Sequence, residues 1–399
     1  MVRLGQSGTL LSIVIPTRNR MAYASSAIKS ILSISDPDLQ LVIQDSSDTR
    51  VLEEYLHENI YDPRLYYNYS APPMSAVENF NIAARLATSE YVAFIGDDDG
   101  VNPEIMKAVR WMKSEQLDAL SPTTCAHYSW PDLVSRYYGR RHASCLYVWH
   151  FTGERHFPDV ETEMLRCVRG AGQEIGNLPK VYTGIVRKAC LERIYERTGV
   201  YFGGASPDIF GALAAANFIR SYCLVDYPLL LAGGSGKSTA GDSAKGKHIG
   251  RLEDIPHLKP DVVHRWPRVI PRFYSVETVR AQAALAALEA MGRNDLIREF
   301  NVPLLHAVCS LAHRDYLPII LRNYRDVMHQ QGLDCKRATF RFAVALAGAC
   351  GRRARFMASR LAHPSPSNGA DSIGNLPNVA DAVQALSDYL VKAKKTFHG

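Results

Sequence analysis

The run Tyr91-Val92-Ala93-Phe94-Ile95-Gly96-Asp97-Asp98-Asp99 constrains this chain more than any other stretch. A short apolar segment ends, after one glycine, in three consecutive carboxylates. Such an apolar run suits a buried strand of a parallel sheet, covered on both faces. In open α/β sheets the chemistry gathers beyond the carboxyl ends of the strands. Three adjacent carboxylates there repel one another, so something positive must offset them. A hard divalent cation carrying phosphates meets that need, because Mg2+ is usually held by only one or two protein carboxylates. The competing reading is an acidic surface turn eased by Gly100, and the run alone leaves both open.

The upstream sequence separates them. Leu10 to Pro16 reads as a strand stopped by proline, followed by Thr17-Arg18-Asn19-Arg20. From Met21 to about Ser33, Ala24, Ala27, Ile28, Ile31 and Leu32 recur at helical spacing. Leu39 to Gln44 is a second strand, ending in the polar turn Asp45-Ser46-Ser47-Asp48. Val51 to about His57 reads as a helix, Tyr66 to Tyr69 as a short strand, Ser75 to Thr88 as a helix and Tyr91 to Ile95 as the next strand. This alternation predicts a mostly parallel sheet with helices on both faces. The polar clusters at 17–20, 45–48 and 97–99 each follow a strand, so one sheet edge gathers them into a cleft. No G-x-G-x-x-G follows the first strand, which leaves a dinucleotide site unsupported.

Taken together, Ile13 to Arg20, Val42 to Asp48 and Glu90 to Asp99 resemble a family 2 glycosyltransferase. The resemblance is good over residues 10–110, patchy to about 240 and absent beyond. It implies a GT-A (Rossmann-like) fold, a nucleotide-sugar donor, an inverting mechanism and a Mn2+ or Mg2+ cofactor. Residue by residue, it makes Asp45 the carboxylate that binds the nucleotide base, with a leaning to uracil. Pro16, Thr17 and Arg18 become the first-strand loop against the nucleotide. Asn79 and Asn81 straddle the family asparagine, and the sequence does not choose between them. Asp97 and Asp98 lie on the donor side; the metal pair is Asp97 with Asp99, spaced as D-x-D, or Asp98 with Asp99, and Asp99 is the firmest ligand. The sequence departs at Gly96, where many members carry the first aspartate of a D-S-D-D run.

Length and composition bound the rest. The chain has 399 residues, 47% of them apolar, enough for a large core and more than one domain. A net charge of +6 is mild for this length and gives no footprint of nucleic acid. An anionic donor or an anionic membrane surface fits equally well. Eight cysteines are scattered without C-x-x-C spacing, which reads as inert buried thiols in a reduced cytosolic chain. No signal peptide opens the sequence, and Phe342 to Cys350 is about half the length of a membrane span. The expected location is therefore cytoplasmic, with the inner face of the membrane as an alternative.

In the middle of the chain, Tyr137-Tyr138 and Tyr147 to Phe151 suggest strands. In Ala205-Ser206-Pro207-Asp208, Asp208 reads as a helix cap. The resemblance adds a second role. Asp208 stands about where the family places the general base that deprotonates the acceptor hydroxyl, and Asp226 is its rival. Gly233 to Thr239 imitates a P-loop, but Leu231 stands where the pattern needs glycine, so an ATPase is rejected. What remains is a flexible loop carrying Lys237, Lys245, Lys247 and His248, with Lys237 and His248 as secondary candidates for the diphosphate and the metal.

From Ser275 the pattern is helical. The expected divisions are a GT-A domain at 1–250, a connecting segment at 251–274, a helical region at 275–361, a polar linker at 362–377 and a last helix at 378–399. The helices invite packing on the catalytic domain, homo-oligomerisation, or peripheral membrane contact through Arg352, Arg353, Arg355 and Arg360 beside Phe356, Met357 and Leu361. A solvated helix end is the plainer reading of that patch. The functional reading is a metal-dependent, inverting, non-processive glycosyltransferase acting on a surface-polysaccharide or lipid-linked precursor. Its rivals are a non-catalytic nucleotide-sugar-binding or scaffold protein and a sugar nucleotidyltransferase. The last would need a glycine-rich loop after the first strand.

Overall fold

The computed structural model describes residues 8–135, 138–237, 249–255, 258–362 and 365–398. The first hundred residues alternate as the pattern predicts: β1 (Leu11–Thr17), α1 (Met21–Leu32), β2 (Leu39–Asp45), α2 (Val51–Asn59), β3 (Leu65–Tyr69), α3 (Ala76–Leu86) and β4 (Tyr91–Phe94). The middle adds β5 (Gly100–Val101), α4 (Ile105–Ser114), β6 (Ala119–Pro122), β7 (Ala126–Ser129), β8 (Cys145–Val148), β9 (Arg155–His156) and α5 (Val160–Arg169). It continues with β10 (Ile185–Arg187), α6 (Lys188–Thr198), α7 (Pro207–Ala216), β11 (Tyr222–Val225) and β12 (Leu230–Gly234). Then come α8 (Pro260–His264), α9 (Val276–Ala290), α10 (Asn294–Arg298), α11 (Val302–Ala312), α12 (Leu317–Gln330), α13 (Cys335–Ala362), β13 (Asp371–Ile373) and α14 (Val379–Lys392).

Among the described residues the main sheet runs β3-β2-β1-β4-β10-β6-β11-β9. Strands β3, β2, β1 and β4 are parallel, as are β6 and β11. Between these groups lies β10, antiparallel to both neighbours. Side chains alternate along each strand and split the core in two. Val14, Val42, Val92 and Phe94 face helices α3, α5 to α7 and the C-terminal helices. Ile13, Ile15, Leu41 and Ile43 face α1, α2, α4 and α14. The architecture is α/β with helices on both faces and a C-terminal helical region.

The chain's end differs from the expectation of a linker and a separate helix. Within 362–377, β13 pairs antiparallel with β8, extending a second sheet of order β13-β8-β7-β12-β5. Helix α14 is part of the core: Val379, Ala382 and Leu386 are fully buried. Asn378 caps it, accepting from the amides of Ala380 and Asp381. The helix lies against Gly100, where a Cβ would sit 2.7 Å from Val383 and 3.0 Å from Val379. Gly100 therefore admits the last helix directly behind the acidic run. The thiols also differ in part, because Cys335 and Cys350 on α13 are exposed. No helix among the described residues is long and apolar enough to cross a membrane.

Docking of α14 predicts unequal effects along it. Leu386→Ala removes a fully buried side chain and should lower stability by about 2–5 kcal/mol. Val391→Ala, at 78% exposure, should change it by less than about 0.5 kcal/mol. Urea denaturation of both variants checks this; equal losses would mean the helix is not docked.

Candidate functional site

Thr17 ends β1, Asp45 ends β2, and Asp97 to Asp99 follow β4, so one sheet edge gathers all three motifs. The acidic run is not a surface turn, since its three aspartates are only 4–5% exposed. Burial without a partner would be expensive for any of them, and the partners are specific. The Thr17 hydroxyl donates to Asp97 Oδ2 at 2.5 Å. Arg20, at the N-cap of α1, reaches back across the strand ends. Its Nε lies 3.0 Å from Asp97 Oδ1, an ion-pair contact without hydrogen-bond alignment. Its Nη2 lies 2.6 Å from Asp98 Oδ2. The Ser235 hydroxyl donates to the same Asp98 oxygen at 2.6 Å. Beside Arg20, the Tyr23 ring centre is 4.8 Å from the guanidinium. Trp130 packs edge-on to Tyr23 and donates its indole N–H to the Asp98 carbonyl at 2.9 Å.

Asp99 is held differently. Its carboxylate accepts from the amides of Gly96 and Gly233, each at 2.7 Å, and from the Tyr182 hydroxyl at 3.2 Å. This explains the departure at Gly96: a Cβ there would lie 2.7 Å from the Tyr182 oxygen and 2.9 Å from Asp98 Oδ1. A side chain there would have to displace the Tyr182 hydroxyl and the Asp98 carboxylate from their present places. Gly233 has a similar reason, since its Cβ would fall 1.9 Å from the Asp98 carbonyl oxygen. Residues 233 and 234 thus belong to strand β12, pressed against the acidic run, and are not the flexible loop expected from sequence. Lys237 beyond them is exposed. Lys245, Lys247 and His248 lie outside the described residues.

The charge balance of the run is incomplete. Burial pushes the Asp97 carboxyl up; the Arg20 charge opposes this, Asp98 reinforces it, and the net shift is upward. Burial and then the Asp98 charge likewise raise Asp99 against the pull of its amide and tyrosine donors. Burial and the three aspartates hold the Tyr182 phenol well above its ordinary range. Arg20 is pulled down by burial, but Asp97 and Asp98 outweigh that and raise it.

The other expected residues fall into place unevenly. Pro16 is half-buried on β1. Asp45 is fully buried and accepts from the Ser47 amide at 2.8 Å and the Tyr67 hydroxyl at 2.9 Å. Arg18 turns outward, bonding Asp48 at 3.1 Å and the Met74 carbonyl at 3.3 Å. Asn79 donates to the Thr17 carbonyl at 3.2 Å, and its buried Oδ1 has no partner among the described residues. Asn81 is saturated: it donates to the carbonyls of Val77 and Phe202 and accepts from the amides of Tyr201 and Phe202. Asn81 pins the 201–202 segment, whereas Asn79 reaches the loop at the end of β1.

The helix cap differs from expectation. Ser206 occupies the N-cap position of α7, Pro207 follows, and Asp208 sits in the first turn, where the helix dipole favours a carboxylate. Asp208 accepts a hydrogen bond from the Ser206 hydroxyl. Asp226 is clamped by Thr123 at 2.7 Å and by the Thr152 amide and hydroxyl at 2.8 and 3.0 Å. Burial pushes it up, but these donors outweigh burial and hold it below the usual carboxylate range.

Residues 12–156 match the family model "Glycosyl transferase family 2". They form a family 2 glycosyltransferase domain. This domain is 34% identical over 100 residues to an Escherichia coli (strain K12) protein provisionally named the colanic acid biosynthesis glycosyl transferase WcaA; the match covers 25% of this chain and 36% of that one. It is 34% identical over 96 residues to the GalNAc(5)-diNAcBac-PP-undecaprenol beta-1,3-glucosyltransferase of Campylobacter jejuni, covering 22% and 29%. The chain thus spans about a third of the length of these curated relatives. Among solved structures, S. aureus TarS 1-349 in complex with UDP-GlcNAc aligns at 15% identity and TM-score 0.44, covering 82% of this chain and 93% of TarS 1-349. The mannosyltransferase PcManGT from Pyrobaculum calidifontis, in complex with GDP-Man and Mn2+, aligns at 13% and 0.42, covering 98% and 90%.

In the glycosyltransferase domain the carboxylates are of the kind a hard cation takes. Five of their six oxygens, however, are engaged by Arg20, Thr17, Ser235, Tyr182 and two amides. No group of three metal-ligating side chains is arranged for a cation among the described residues. Arg20 supplies the local positive charge instead. Sequence reading placed Arg20 in the right cluster but gave it no role. Tyr182, Ser235 and Trp130 carried no signal, because only the fold brings them to the strand edge.

The raised carboxyls set a pH dependence. Folded Asp97 and Asp99 hold protons more tightly than in the unfolded chain. Their contribution to stability is full below the ordinary carboxylate range and is lost as pH rises through the raised values. Arg20→Gln removes the charge that limits this loss. It should lower stability by about 3–5 kcal/mol at about pH 8 and by distinctly less at about pH 6, where the carboxyls can protonate. Urea melts of both proteins at the two pH values decide it; a pH-independent loss would contradict the charge pairing.

Proposed function

We propose that the protein transfers a sugar from a nucleotide-diphosphate donor, UDP-linked in our reading, to a hydroxyl of a surface-polysaccharide or lipid-linked precursor, with inversion and without processivity. The observation that carries this reading is the convergence of Thr17, Asp45 and the buried Asp97 to Asp99 at one sheet edge inside a family 2 glycosyltransferase domain. The named activities of the two relatives support the acceptor class, a polysaccharide pathway in one and an undecaprenol-linked glycan in the other. We set the reaction in the cytoplasm, in keeping with eight free thiols. We also propose a catalytic unit over residues 1–250, a connection at 251–274 and a helical unit at 275–361, with α14 bracing the first unit.

In this reading Asp45 accepts from the base through Oδ2; the Ser47 amide and hydroxyl both donate to Oδ1, whereas Tyr67 alone donates to Oδ2 and leaves it a lone pair. Asn79, with an unpartnered buried oxygen beside the first-strand loop, is the better of the two asparagines for a donor contact. Pro16, Thr17 and Arg18 line the nucleotide side. A Mn2+ or Mg2+ ion held by Asp97, Asp98 and Asp99 would neutralise the diphosphate as it leaves. Arg20, which now pairs with Asp97 and Asp98, would give up that place and turn its guanidinium to the donor phosphates. Asp208 is the proposed general base, with Ser206 orienting its carboxylate. The acceptor oxygen, losing its proton to Asp208, attacks the anomeric carbon opposite the departing diphosphate, and that displacement gives inversion.

Three outcomes test the reading by calorimetry and transfer assay. Mn2+ should bind Arg20→Gln at least about tenfold more tightly than the parent, because the resident competitor is gone. An unchanged affinity would separate the cation site from Arg20. Asn79→Ala should weaken UDP binding about tenfold, whereas Asn81→Ala should instead lower stability by about 1–3 kcal/mol, through the amides and carbonyls it leaves unpaired. Asp208→Asn should lower transfer on the order of 10²-fold with donor affinity retained, and Asp45→Ala should weaken donor binding first. Donor affinity lost equally in both would remove Asp208 from the role of base.

A further inference from the structure

Helix α13, Cys335–Ala362, contains no aspartate or glutamate and seven cations: Lys336, Arg337, Arg341, Arg352, Arg353, Arg355 and Arg360. Removing those seven from the chain's 46 basic residues leaves 39 against 40 acidic ones, so the whole positive excess resides in this helix. One face is committed to the fold. Ala338 and Ala349 are buried, and Phe342, Ala345 and Leu346 pack against the core. At 3.6 residues per turn, Arg337, Phe340, Val344 and Arg355 fall on a stripe turned away from that seam, with Arg341 and Arg352 along its flank. Phe340 is 70% exposed and Val344 57%. Arg341, Arg352 and Arg355 are exposed as well. Arg337 pairs with Asp334 at 3.6 Å just before the helix, and Arg353 folds back to the Leu311 carbonyl at 3.1 Å.

A merely solvated face mixes both signs of charge and omits large apolar residues. This one carries a single sign of charge and exposes a phenylalanine between arginines. We propose that this stripe of α13 docks on the surface of an anionic lipid bilayer. The arginines meet headgroup phosphates, and Phe340 and Val344 enter the boundary with the acyl chains. A nucleic-acid backbone would use the charges but has no place for Phe340 and Val344, which adjoin Arg337 and Arg341 on the stripe. The helix lies on the membrane and does not span it, in keeping with its charge and with the absence of any spanning window among the described residues. The inference rests on α13 alone and does not depend on the reading of the acidic site.

Flotation of the full chain with lipid vesicles tests it. Vesicles of phosphatidylcholine containing about one-third phosphatidylglycerol should bind at least about tenfold more protein than phosphatidylcholine alone, and binding should fall as salt rises. Each basic residue contributes roughly fivefold near an anionic leaflet, so Arg341→Gln, Arg352→Gln and Arg355→Gln together should cut binding on the order of 10²-fold. Phe340→Ser with Val344→Ser should also weaken it, by about tenfold or more. Circular dichroism of these exposed-face variants should match the parent. Equal binding to neutral and anionic vesicles would overturn the proposal, as would no binding at all. So would serine variants that bind like the parent, which would make the stripe a general polyanion site. A parent chain that self-associates and becomes monomeric in the arginine variants, with vesicle binding unchanged, would assign the stripe to a second copy instead.

Discussion

The ion pair of Arg20 with Asp97 and Asp98 is the interaction on which the rest of the site depends. Three consecutive carboxylates, each about 5% exposed, lie at the end of a buried strand. Such a cluster is tolerable only with positive charge and donors close at hand. Arg20 supplies the charge, and Thr17, Ser235, Tyr182 and the amides of Gly96 and Gly233 supply the donors. Tyr23 lies beside the arginine, and Trp130 backs Tyr23. The compensation leaves Asp97 and Asp99 biased toward their protonated forms. Preorganisation for an incoming charge therefore coexists with a cluster whose aspartates are already held by these donors, while the buried Arg20 Nε is left without a hydrogen-bond partner.

Much of this frame was legible in the sequence because its signals are local. Alternating apolar runs and helical spacings gave β1 to β4 and α1 to α3 to within a few residues, and the polar clusters after the strands marked the edge where they converge. What escaped was non-local. The antiparallel β10 enters the main sheet between two parallel groups, and a three-residue strand carries no periodicity to announce it. Strand β12 read as a flexible loop because its glycines suggested freedom, whereas Gly233 is there so that two backbones can touch. Tyr182 could not be linked to Gly96 from sequence, although a Cβ at Gly96 would lie 2.7 Å from the tyrosine oxygen.

The same distinction separates residues of like type. Asn79 and Asn81 are two positions apart on one helix and look equivalent in sequence. Only the hydrogen-bond inventory distinguishes them, since Asn81 spends its capacity on a neighbouring loop and Asn79 keeps an oxygen free. Asp208 and Asp226 divide in a related way. Asp226 is immobilised by three donors that stabilise its ionised form, while Asp208 is bonded by a single serine at the start of a helix.

Gly100, directly after the acidic triplet, touches Val383, which lies 283 residues further along the chain. Gly233, more than a hundred residues on, closes the triplet from another side. Contacts of such long sequence separation form late, because the intervening loop must first be organised. During synthesis the strands and the acidic run emerge long before the elements that brace them. The ionised triplet must then wait in an open, hydrated form until α14 and β12 arrive. Ordering of this site is thus a readout of the whole chain's folding, and truncation or misfolding far downstream is felt at the carboxylates themselves.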